Sequence, residues 1–62
     1  MSKKEVLKKL VKNGFGLPRS IEIYNYLSCS GEIEIDKNML FIYMNNHGCF
    51  EDDNDVYDFY HN

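Results

Sequence analysis

Along the first dozen positions the apolar residues fall at helical spacing. Val6, Leu7, Leu10 and Val11 make one stripe. Ser2, with Glu5 three residues later, is a capping-box pattern at its head. Glu5 and Lys9 are an i,i+4 pair in the favourable order, and Asn13-Gly14 is a C-terminal stop. These signals predict a helix over 2–12. Phe15-Gly16-Leu17-Pro18 reads as a turn, with Pro18 suited to the first position of a second helix. Over 18–28, Ser20, Ile23, Tyr24 and Leu27 share a helical face, although Ile21-Glu22-Ile23 also fits strand alternation. Ser28-Cys29-Ser30-Gly31 closes the segment.

The pattern changes at residue 32. Glu32-Ile33-Glu34-Ile35-Asp36 alternates acidic and apolar positions strictly, the cleanest strand signature in the chain. Asp36-Lys37-Asn38 can turn the chain, and the apolar run 39–44 returns as a buried strand. Asn45-Asn46-His47-Gly48 is a second turn, and 49–51 gives a third short strand. In the competing reading Asp36 is an N-cap and 37–46 a helix with Met39, Leu40, Tyr43 and Met44 as its stripe; periodicity does not separate the two over so short a run. Aromatic and β-branched content, and a chain without a single alanine, favour strand. The last segment carries Val56, Phe59 and Tyr60 at helical spacing behind an acidic start, and fits a helical turn or an edge strand. The expected fold class is therefore α+β: a small single domain, with one or two N-terminal helices packed on a short antiparallel sheet over roughly 32–51. A compact all-helical domain is the alternative.

Length bounds this picture. Sixty-two residues allow one domain, and a chain of this size buries only about 60% of its unfolded surface. Rings constitute 15% of the residues, and large rings give a small core much area each. Tyr24, Tyr26, Phe41, Tyr43, Phe50, Tyr57, Phe59 and Tyr60 are core candidates first. The apolar run 39–44 is too short to span a bilayer, and the N-terminal lysines are not followed by the apolar stretch of a signal peptide. A cytoplasmic location is expected, with Cys29 and Cys49 reduced and behaving as small buried hydrophobes. Richness in Lys, Asn, Ile, Tyr and Phe, which A+T-rich codons encode, suggests a bacterial, phage or mobile-element origin.

The net charge of −3 conceals two halves of opposite sign. Residues 1–20 carry Lys3, Lys4, Lys8, Lys9, Lys12 and Arg19 against Glu5 alone, a net +5; residues 21–62 carry one lysine against nine carboxylates, a net −8. Such asymmetry implies two faces with different partners, or one face closing on the other.

The acidic half holds the most unusual feature. Glu51, Asp52, Asp53, Asp55 and Asp58 place five carboxylates in eight residues, interleaved with Phe50, Tyr57, Phe59 and Tyr60. Carboxylates this dense repel one another and gain by meeting a cationic surface, while aromatic side chains are frequent interface anchors. This combination is expected to contact a protein with a basic surface patch, such as a nucleic-acid-binding surface, where the carboxylates imitate phosphates. The plain alternative is a solvated terminus with its rings in the core.

The basic half offers a different function, nucleic-acid binding through Lys4, Lys8, Lys9, Lys12 and Arg19. Lysines serve phosphate contact, whereas reading base edges needs Arg, Asn or Gln, so nucleic acid is not expected as the main partner. Were 18–62 helical, its last helix would carry Asp52, Asp53, Asp55 and Asp58 in the place of a DNA-recognition helix, and phosphates would repel it.

No enzymatic or metal chemistry is expected, and no cofactor. Counted from Asp53, the sixth position of a calcium loop requires Gly and holds Asp58. Cys29 and Cys49 lie twenty apart, unlike the close pairs of structural zinc sites, and His47 and Cys49 are separated only by Gly48. Neither a glycine-rich phosphate loop nor a nucleophile elbow occurs. The chain reads as a small acidic protein-binding module, an inhibitor or regulator of a partner protein.

Overall fold

A computed structural model describes residues 1–61 and contains four helices: α1 (Lys3–Lys12), α2 (Leu17–Leu27), α3 (Lys37–Asn46) and α4 (Asp53–His61). No strand occurs among the described residues, two thirds of which are helical. The expected α+β fold with its sheet over 32–51 is therefore wrong, and the alternative all-helical arrangement is the one observed.

Side-chain capping and burial explain the correction. Asp36 is extended and its Oδ1 accepts the Met39 N–H at 2.9 Å, which starts α3. A strand over 39–44 would place Leu40, Ile42 and Met44 on one face. Instead Leu40 and Met44 are fully buried, whereas Ile42 is 59% exposed. Only the i,i+4 period of a helix separates Ile42 from the other two. The acidic-apolar run 32–36 is a connection without strand pairing: Ile35 plugs the core, and Ile33 on the same expected face stands half-exposed. Residues 49–51 are an irregular link into α4, without strand structure.

Helix starts and stops are built locally. Ser2 and Glu5 make both halves of a capping box at α1, and Glu5 is held below the usual carboxylate range by its hydrogen bonds with Ser2. Asn13-Gly14-Phe15 ends α1: Phe15 N–H reaches Leu10 O and Gly14 N–H reaches Val11 O, both at 3.1 Å. Cys49 N–H to Met44 O and Gly48 N–H to Asn45 O end α3 in the same way. These are Schellman stops, whose left-handed residue is Gly14 (φ 99°) or Gly48 (φ 75°). At the corresponding place after α2, Ser30 N–H donates to Asn25 O at 2.7 Å, and Cys29 (φ 52°) is left-handed, as is Ser30 after it (φ 60°).

The core draws on every element: Val6 and Leu10 of α1, Ile23 of α2, Ile35 of the connection, Leu40 and Met44 of α3, and Phe59 of α4. Buried Ser20 and Ser28 donate their hydroxyls to Gly16 O (2.9 Å) and Tyr24 O (2.7 Å), so neither is an orphan. Two of the expected core rings lie outside it: Tyr26 and Tyr57 are 74% and 63% exposed. Cys29 is also exposed, against the expectation of burial, because the left-handed stop it occupies lies at the surface. No described helix is long and apolar enough to cross a membrane.

Candidate functional site

The acidic segment folds into a capped helix, which accounts for part of its charge. Asp52 Oδ1 accepts the Asp55 N–H at 3.1 Å, and Asp55 Oδ2 accepts the Glu51 N–H at 2.9 Å. Two of the five carboxylates thus satisfy backbone donors at the start of α4. They lie with Asp53 at the positive end of the helix dipole, which offsets some of their mutual repulsion. Glu51, Asp52, Asp53 and Asp58 are exposed, and Asp55 is half-buried.

Of the four rings in the segment, three are spent on the fold. Phe59 is buried. Phe50 is half-buried, stacks on Phe41 at 5.0 Å and meets Phe59 edge-on at 5.4 Å. Tyr60 packs on Phe41 at 5.5 Å, and its hydroxyl donates to Asn38 Oδ1 at 3.0 Å. Tyr57 points outward, stacked on His61 at 4.2 Å. Asp53, Tyr57 and His61 follow one another at i,i+4 and form one exposed ridge.

The basic residues divide as well. Lys4, Lys8 and Lys12 are exposed along α1. Arg19 pairs with Glu22 at 3.4 Å. Lys9 turns inward: its Nζ donates to Phe59 O at 2.6 Å and lies 4.8 Å from the centre of the Phe59 ring. Lys37 donates to Tyr60 O at 3.1 Å. Two cations from α1 and α3 therefore satisfy carbonyls in the last turn of α4, where the helix dipole is negative. Burial pushes the Lys9 ammonium below the usual lysine value, with repulsion from Lys37 and Lys12 adding to it. One face does close on the other here, through Lys9, while Lys12 lines the same small cleft as Asp55 and Asp58.

Sequence reasoning missed a third feature. The α1 stripe is four residues wide, but only Val6 and Leu10 are fully buried; Leu7 is half-buried and Val11 is exposed. Leu7 and Val11, together with Leu17 at the start of α2, form the floor of an open groove of about 900 Å³ rimmed by Lys3, Lys4, Lys8 and Lys12. Nothing within α1 distinguishes Leu7 and Val11 from the two core residues. The packing of the other elements decides which edge is covered.

Among the described residues no group of three or more His, Cys, Asp or Glu is arranged to hold a metal ion. Cys29 and Cys49 are unpaired in disulfide terms, and burial pushes the Cys49 thiol above its usual value. No protein-family model, curated protein or solved structure matches the chain.

Proposed function

We propose that the protein is a protein-binding module, an inhibitor or regulator that occupies a basic surface of its partner with the exposed ridge of α4. The observation that carries this reading is Tyr57: it is 63% exposed on a helix whose other large rings are committed to the core, and carboxylates flank it on both sides. Glu51 and Asp53 lie before it and Asp58 after it, so a cationic partner meets charge and an aromatic anchor together. Opposite charge steers the encounter and makes the on-rate fall with added salt. An aromatic hot spot contributes about 2 kcal/mol or more once buried. α4 needs no ordering on binding, because Phe59, Lys9 and Lys37 already fix it.

The test compares the wild-type protein with the triple change Asp52→Asn, Asp53→Asn, Asp55→Asn and with Tyr57→Ala. Asn caps helices as well as Asp does, so the triple variant keeps its fold, which a thermal melt verifies. Partners captured by the wild type are purified, and their binding is measured at low and high salt. The triple variant is expected to lose affinity and flatten the salt slope, and Tyr57→Ala to lose affinity at both salts. Folded variants that bind as the wild type does, with the same slope, would sink the reading.

A further inference from the structure

We infer that the lysine-rimmed groove of α1 is a second docking surface, and that it takes the apolar face of an acidic amphipathic helix from a partner protein. The groove is distinct from the α4 ridge and does not depend on it. Its floor is aliphatic: Val11 is 47% and Leu17 is 55% exposed, and Leu7, half-buried, lies between Val6 and the lysines. Aliphatic side chains on the floor and lysines on the rim give the groove an apolar and a cationic part side by side. Lys4, Lys8 and Lys12 repeat at i,i+4 along one side. At 1.5 Å per residue that row is about 12 Å long, the spacing of three acids at i,i+4 on a helix laid alongside. Apolar anchors at i, i+3 and i+4 would enter the groove while the flanking acids meet the lysines, as in helix-in-groove recognition.

The composition of the groove decides among other occupants. A nucleic-acid strand could use the lysines, but an aliphatic floor offers its bases neither rings to stack on nor donors to pair with. An anionic bilayer would have to cover more than the groove. Lys12 also lines the cleft that holds Asp55 and Asp58, so a charged plane over the groove comes up against those carboxylates. The molecule is only about 20 Å thick, 21 × 19 Å across its shorter axes, and carries a net −3. A second copy brings acids on α4, but the apolar face of that helix is already buried through Phe59. A separate acidic helix meets both requirements at once.

The probe is a labelled synthetic peptide of about 15 residues, with leucines at i, i+3, i+4 and i+7 and glutamates flanking them. A scrambled peptide of the same composition, phosphatidylserine-containing vesicles and a duplex oligonucleotide serve as the other arms. Amide chemical-shift changes should centre on Leu7, Lys8, Val11, Lys12 and Leu17. The scrambled peptide should bind at least about tenfold more weakly, and Lys8→Glu and Val11→Ser should each weaken binding roughly tenfold. Both sites are exposed, so thermal midpoints should hold; Lys8→Gln, which only removes charge, provides the same test should Lys8→Glu fail to fold. Asp53→Asn on α4 should leave peptide binding unchanged. The proposal is overturned by shifts located elsewhere, by equal binding of the scrambled peptide, by tighter binding to vesicles or duplex, or by self-association that blocks the groove.

Discussion

Met44→Ala and Ile42→Gln, made separately, separate the helical α3 from a strand with the same residues. The two side chains lie two positions apart and would share a face in any strand. In α3, Met44 has no exposed surface, whereas Ile42 is 59% exposed. Truncating a fully buried methionine costs about 2–5 kcal/mol. A chain of this length has about 3–9 kcal/mol of stability in all, at 0.05–0.15 kcal/mol per residue. Met44→Ala should therefore remove much of the total and lower the thermal midpoint by about 10 °C or more. Ile42→Gln replaces an exposed β-branched residue with a better helix former and should stay within about 0.5 kcal/mol of wild type. Urea unfolding followed by far-UV circular dichroism gives both values. Should Met44→Ala prove unfolded, Met44→Leu, which conserves volume, should cost less than about 1.5 kcal/mol and keep the comparison measurable. A penalty for Ile42→Gln as large as that for the Met44 variants would refute the helical register and return these residues to a shared face.

Other outcomes follow from the same geometry. Gly48→Ala, at a left-handed stop, should cost about 1 kcal/mol, while Cys29→Gly, at the corresponding stop of α2, should be neutral or slightly stabilising; thermal melts compare the two. Lys9→Glu should destabilise more than Lys9→Met, by about 1–2 kcal/mol, because a carboxylate then faces Phe59 O and the negative end of α4. With the folded-state value of Lys9 lowered, the unfolded chain binds more protons in the window just below the ordinary lysine value, so this group makes stability rise with pH there; the rise should be missing from Lys9→Met in melts across that window. Cys29 should alkylate faster than Cys49 at neutral pH, since Cys29 is exposed and the thiol of Cys49 is pushed up by burial; equal rates in a mass-resolved time course would contradict the burial of Cys49.

What residues fix with their immediate neighbours was legible along the chain. The Ser2–Glu5 box, the stop at Asn13-Gly14 and the Ser20–Ile23–Tyr24–Leu27 face each need only a few consecutive positions to form. The Asp36 cap was equally local, yet it competed with a strand reading of 39–44 that β-branched and aromatic content favoured. Burial resolved that contest, because only a helix takes Leu40 and Met44 to the core while leaving Ile42 outside. The alternation of 32–36 misled for a related reason: it describes one buried isoleucine in a connection, and period two needs a partner strand before it means a sheet. The charged features followed the same division. The sequence showed the carboxylates and rings of 50–60 but not that Asp52 and Asp55 cap α4, nor that Phe50, Phe59 and Tyr60 face inward and leave Tyr57 outside. It showed four apolar residues on α1 as one stripe. Only the packing of the other elements against that stripe buried Val6 and Leu10 fully, left Leu7 half-covered and left Val11 open beside the lysines, since which edge of a helix is covered depends on where its neighbours lie and not on the helix itself.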